Sequence, residues 1–285
     1  MSRPVQLIIV PYDSGRMGER FGRGPLHALD MHRASPFPHA GGQQPQIVTH
    51  GGDFATEASA AFEIARRIAV TVRHALETGA FPLVIAGNCM TSLGAVSALP
   101  GERSVLWLDA HPDYNTPDTT TSGFLDGMGA AILVGDAWPA AAASVSGYRP
   151  LDKARLAFVG IRDIDPAEAE RLAQDGIAIV APNDAKPREA ALLDALRQIG
   201  DGADSGYLHF DMDVLDPDPT PINEYSAPGG VKLAAALDLF RALPERFPLR
   251  AAAVTAWDPG LDTGGSVVRA YKQVIAALCE TGATI

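Results

Sequence analysis

The sequence predicts an α/β protein of three layers, built on one central, mainly parallel sheet of eight strands, and three observations point there. Short apolar runs bounded by Gly, Pro or Asp alternate with Ala-rich stretches of helical spacing. The runs LIIV, FPLVIA and VLWL are continuously apolar, the way strands read when a parallel sheet buries both their faces. A chain of 285 residues with 47% hydrophobic content is long enough for a full core and falls in the upper single-domain range for such folds, so one domain over 1–285 is expected.

In chain order, strands are expected near 5–11, 46–49, 81–86, 103–109, 154–160, 177–181, 206–211 and 250–257. Helices are expected near 55–78, 92–98, 124–134, 166–175, 187–200, 231–242 and 265–280. In the first helix, Ala58, Ala61, Phe62, Ala65, Ile68, Ala69, Val72 and Leu76 form one apolar face, and Gly79 supplies a C-cap. The Gly- and Pro-rich segments 12–25, 34–45, 111–123 and 216–230 are long for plain connections, and ordered loops of that length usually carry function.

Composition narrows the classes of partner. A net charge of −11 leaves no basic excess to displace counterions from nucleic acid. Cys89 and Cys279 are too few and too far apart for a disulfide framework, which favours a reducing compartment. Met1 to Val10 is too short and wrongly flanked for a signal peptide, and no later stretch is long enough to span a bilayer, so a cytoplasmic protein is expected.

Several strands end in polar residues where the apolar run stops, and ligands of open parallel sheets gather beyond the carboxyl ends of the strands. Asp109-Ala110-His111-Pro112-Asp113 follows SVLWL, and its Asp, His and Asp suit a divalent transition ion. Asp211-Met212-Asp213 follows GYLHF and places two carboxylates at a second strand end. Either motif alone also reads as solvated loop acids. Brought together, four carboxylates repel one another unless cations lie between them or their pKa values rise.

The stretch DAHPDYNTPDTTTSGFLDGM resembles the metal-and-substrate loop of arginases and agmatinases, and HFDMDVLDPDPTP resembles their second metal motif. VPYDSGRMGERFGRGP is similar to the Gly-rich entry segment of that ureohydrolase superfamily, and VGIRDIDPAEAE to its substrate-amine loop. The resemblance runs in the family's order from about residue 8 to residue 262. It implies an arginase-like fold and two metal ions, with Mn2+ the usual metal. By the same resemblance Asp109 and Asp211 would bridge the pair, Asp113 would complete the first site, and His111 with Asp213 would complete the second. It also implies metal-assisted hydrolysis of a guanidino or amidino C–N bond, with Asn115 and Ser122 at the substrate's carboxylate and Asp165 and Glu168 at its amine. A homo-oligomer, trimer or hexamer, is implied in the same way.

The chain departs from the pattern at defined places. Cys89 in VIAGNCMTSLG stands where the family has a histidine ligand, either as a thiolate ligand or as a small packed side chain. Asp126 stands where the family has a histidine, Phe124 where it has an asparagine, and Ala256 where it has the glutamate that pairs with the guanidinium. Glu224 or Asp126 is expected to restore that negative charge, with Glu224 on a solvated loop as the competing reading. His209 lies inside an apolar strand and is expected to be a core histidine. An amino-acid-like substrate, such as an N-substituted or N-hydroxylated arginine, fits an altered head-group pocket with a retained tail pocket. A non-catalytic metal- or ligand-binding homologue is the alternative.

Overall fold

The computed structural model describes residues 2–217 and 220–285. The chain opens with β1 (Val5–Val10) and a small hairpin, β2 (Tyr12–Asp13) with β3 (Arg16–Met17), followed by α1 (Arg23–Ala34), β4 (Gln46–Ile47), α2 (Glu57–Glu77) and β5 (Phe81–Ala86). It continues through α3 (Ser92–Ser97), β6 (Arg103–Leu108), α4 (Gly129–Val134), α5 (Pro139–Ala142), β7 (Leu156–Val159), α6 (Pro166–Asp175) and β8 (Ala178–Val180). The last part holds α7 (Ala190–Gly200), β9 (Ser205–Asp211), α8 (Leu233–Ala242), β10 (Leu249–Thr255) and α9 (Ser266–Thr284).

Among the described residues the main sheet has eight strands in the order β4-β1-β5-β10-β9-β6-β7-β8. Every pairing within it is parallel, so the expected sheet is found and is wholly rather than mainly parallel. All six residues of β1, β5 and β6 are buried, which is why their sequences lack alternation. The apolar residues fall into two clusters, one per face. One joins the sheet to α1, α7, α8 and α9; the other joins it to α2, α3 and α4. These are the three layers.

Local chemistry explains the element ends. Thr56 and Ser59 cap the start of α2 reciprocally. Gly79, at φ 79°, closes its far end. Helix α1 was not expected, because Gly22-Arg23-Gly24-Pro25 reads as a turn; a proline in the first helical turn costs no hydrogen bond. His27 and His32 ride on this helix. The helix expected over 124–134 begins at Gly129, after a 3-10 turn at Asp126–Met128. There the Asp126 carboxylate is tied across the molecule to the Met90 backbone N–H at 2.7 Å.

The neighbouring strands β5, β10, β9, β6 and β7 deliver Cys89, Ala256, Asp211, Asp109 and Arg162 beyond their carboxyl ends, so segments far apart in sequence meet along one sheet edge.

Candidate active site

Asp109 leaves β6 and accepts from the His111 backbone N–H at 2.8 Å and from Trp107 Nε1 at 3.0 Å. Asp211 ends β9 and accepts from the Asp213 N–H at 2.9 Å, from the Cys89 thiol at 2.9 Å and from the Thr255 hydroxyl at 3.1 Å. Asp213 accepts from the Ala110 N–H at 3.2 Å and from Asn223 Nδ2 at 2.9 Å. His111 Nδ1 lies 3.4 Å from Asp109 and 3.5 Å from Asp213, while its Nε2 faces exposed Asp163 at 3.6 Å. Among the described residues two groups of potential metal donors emerge, each with its atoms within 4.8 Å of one another: Asp109, His111 and Asp213; and Cys89, Asp109, His209 and Asp211.

Cys89, Asp109, His111, Asp211 and Asp213 share one cavity of about 290 Å³, while His209 is packed behind them and is not part of its wall. Its wall also carries Asp113, Asp126, Asn115, Ser122, Asp165 and Glu168. Asp113 lies outside the two donor groups, with its Oδ2 buried and without a hydrogen-bond partner. Glu168 is buried and accepts from the Tyr114 N–H at 2.8 Å and the Asp165 N–H at 3.1 Å. Asn115 Nδ2 donates to Asp165 at 3.0 Å, joining the two loops. Arg162, at the head of the Asp163–Asp165 loop, donates to the carbonyls of Gly160, Asp213, Val214, Leu215, Ala227 and Pro228 and so fastens the Asp213 loop.

Burial sets the proton affinities. It pushes Asp211 and Asp113 well above the usual carboxylate range, and neighbouring carboxylates push in the same direction. Asp126 is raised to about 6, burial outweighing the N–H groups that favour its ionised form. Burial opposes protonation of His111, yet Asp213, Asp109 and Asp211 overcome it and raise the imidazole to about 10. His209 has no such compensation, and burial lowers it to about 3. The Cys89 thiol is raised by burial and by Asp211.

The donor set fits divalent cations. Carboxylates whose proton affinity is raised by burial and then by one another, next to an orphaned buried acceptor on Asp113, are what a positive charge between them resolves.

Not every expected residue faces the cavity. Glu224 is exposed and turns away into an ion pair with Arg20, which also holds buried Asp13 at 3.3 Å. It is absent from the cavity wall, so among the described residues it does not stand in for the carboxylate missing at Ala256. Asn223, its neighbour, points in instead, holding Asp213 and the Ala256 carbonyl at 2.9 Å each. The only signal in the sequence was the polar run INEYS, whose pattern does not say which member faces inward. His209 is buried as expected, but it is two residues before Asp211 and so on the same strand face, within reach of the carboxylates. Phe21, Phe124 and Tyr225 also line the cavity, with the Tyr225 ring 6.0 Å from Phe21 and 5.9 Å from Phe124. Trp107 and Trp257 are both fully packed and outside the wall.

The arginase family matches this chain over residues 3–280. The chain belongs to that family. Among its relatives, the arginase of Eremothecium gossypii is 28% identical over 91% of this chain and 70% of its own. The N(omega)-hydroxy-L-arginine amidinohydrolase of Streptomyces lavendulae is 31% identical over 65% of this chain and 66% of its own. The structure of Bacillus caldovelox arginase shares the fold with a TM-score of 0.83 at 22% identity, covering 98% of both chains. This arginase-family chain carries Asp109, His111, Asp211 and Asp213 at its strand ends, with Cys89, Asp126 and Ala256 on the same cavity. Among the described residues no helix is long and apolar enough to cross a membrane.

Proposed function

We propose that this cavity hydrolyses a non-peptide C–N bond of a guanidino or amidino compound with an amino-acid tail, releasing urea or a related product. The observation that carries the reading is the convergence of buried Asp109, Asp211 and Asp213 with His111 on one wall, while Asn115, Ser122, Asp165 and Glu168 stand on the same cavity. Divalent ions held by Asp109, His111, Asp213, Asp211 and Cys89 would lower the pKa of a water toward neutrality and neutralise the acids. Mn2+ suits the oxygen-rich group around His111.

The chain's own residues supply the rest. The acids of the Asp163–Glu168 loop favour a cationic substrate amine, and the Asn115 amide, fixed by Thr119 at 2.9 Å and Asp165 at 3.0 Å, is oriented for a polar tail. Asp126 titrates near 6 and lines the cavity, so it holds and releases a proton close to neutral pH, as a group serving a leaving amine must. Ala256 leaves room where a longer side chain would narrow the cavity, and likeness to an enzyme named for hydroxyarginine supports an N-substituted arginine. A trimer or hexamer belongs to the same reading and is measured by sedimentation.

The test is urea release from a panel of guanidino and amidino compounds with metal-loaded protein. Turnover that disappears on chelation and in Asp211→Ala supports the reading. Full metal loading with no turnover across the panel favours the second one, a non-catalytic binding homologue, for which the specific observation is Ala256 without a compensating Glu224.

A further inference from the structure

A second imidazole lies beneath the carboxylates. His209 shares a strand face with Asp211, is 0% exposed, and stacks on Trp107 with ring centroids 3.7 Å apart. Its Nδ1 lies 3.0 Å from Ser92 Oγ. Its Nε2 faces the site, 3.4 Å from Thr255 Oγ1 and 3.9 Å from Asp109 Oδ2.

The contact with Thr255 satisfies that nitrogen poorly. In the tautomer that carries its proton on Nδ1 toward Ser92 Oγ, Nε2 is an acceptor, and the single Thr255 hydroxyl proton lies nearer Asp211 Oδ2, at 3.1 Å, than Nε2, at 3.4 Å. A buried ring nitrogen with the weakest claim on a shared donor, pointing at carboxylates, is positioned to accept from something else.

We propose that His209 and Cys89, with Asp109 and Asp211, form a sulfur- and nitrogen-bearing cation site of the zinc type, chemically unlike the Asp109–His111–Asp213 group beside it. The inference rests on reading the cavity as a metal centre. One donor atom from each of the four lies within 4.8 Å of the others. Around a tetrahedral zinc, with bonds of about 2.0 Å to N or O and about 2.3 Å to S, donors stand roughly 3.3–3.5 Å apart. The Cys89 Sγ to Asp211 distance of 2.9 Å and the His209 Nε2 to Asp109 distance of 3.9 Å bracket that spacing. The buried, partnerless Oδ2 of Asp113 on the same cavity independently calls for a cation.

The pairing also accounts for the substitution at residue 89. A chain with cysteine at that strand end retains a nitrogen donor from β9 below, giving S, N and two O donors, a set that zinc accepts readily and manganese does not favour. The group around His111 has no sulfur and keeps its affinity for harder ions. Two unlike ions sharing Asp109 then follow from the composition of the two donor groups.

The test is zinc-edge X-ray absorption on untagged protein. In His111→Gln, loaded with one equivalent of Zn2+, we expect one sulfur at about 2.3 Å together with the outer-shell scattering of an imidazole, which His209 supplies. Sulfur without imidazole, or imidazole without sulfur, overturns the proposal. Wild-type protein with two equivalents provides a second measurement that needs no variant: two imidazoles and one sulfur per two zincs are expected, and a single imidazole overturns it. A sulfur-to-cobalt charge-transfer band in Co2+-loaded wild type should vanish in Cys89→Ser; a band unchanged in that variant also overturns it. Protein that takes up no Zn2+, Co2+ or Mn2+ at all removes the metal-centre reading itself, an outcome distinct from metal bound without His209.

Discussion

Replacing Arg162 with methionine tests whether the site depends on a single guanidinium. Its three nitrogens donate to six backbone carbonyls at 2.7–3.3 Å, drawn from the end of β7, the Asp213 turn and the 227–228 loop. A hydrogen bond to a charged donor contributes about 1.5–3 kcal/mol, and a buried acceptor left alone costs about 1–3 kcal/mol. Six such terms cannot add in full, because total stability is only about 5–15 kcal/mol. The carbonyls nearest solvent recover water, so the expected loss is that of two or three orphaned acceptors, about 3–6 kcal/mol. Methionine preserves much of the stem's packing and removes the donors. Arg162→Lys should lose a similar amount, since one ammonium with three protons cannot span six carbonyls in a planar fork. Urea unfolding followed by circular dichroism measures the change, read from the midpoint at constant slope. A loss below about 1 kcal/mol for Arg162→Met refutes the reasoning.

Three other outcomes follow from the same geometry. In Gly87→Ala the added methyl collides with the Tyr12 carbonyl oxygen and comes within 2.9 Å of the Gly22 nitrogen; backbone cannot yield cheaply, so a drop of about 3 kcal/mol is expected in thermal or urea unfolding. Asn223→Ala removes the donor that orients Asp213 and should weaken Mn2+ binding about 10–100-fold by calorimetry, unchanged affinity counting against the assignment. Metal-free protein should lose stability as pH rises above 6.5. His111 is raised to about 10, so the stability it contributes is whole below 6.5 and is lost as pH climbs through that value, a difference of several kcal/mol at about 1.4 kcal/mol per unit. His209, lowered to about 3, contributes stability that is whole above 6.5 and lost only as pH falls toward 3, so it is constant in this window. Metal-loaded protein gains from the same rise in pH because ligands release protons on binding. The melting temperatures with and without chelator should therefore diverge between pH 6.5 and 9, and parallel curves would contradict the account.

What could be read in advance had local causes. Strands buried on both faces announce themselves as unbroken apolar runs, and the eight expected positions correspond to the eight strands of the sheet. The Asp109–Asp113 and Asp211–Asp213 motifs were legible because ligand spacing at a strand end is a property of a few consecutive residues. Helix α1 was missed because its first turn is written in residues that also make loops.

The residues alone carried the fold class, the family resemblance, the acids at the two strand ends and the four departures at Cys89, Phe124, Asp126 and Ala256. Which polar groups face one another came from packing across the molecule: Glu224 outward to Arg20, Asn223 inward to Asp213, and His209 under Asp109. The reason is that a side chain's direction and partner depend on contacts between residues as distant in the chain as Cys89 and Asp211, or Arg20 and Glu224, and no local pattern encodes them.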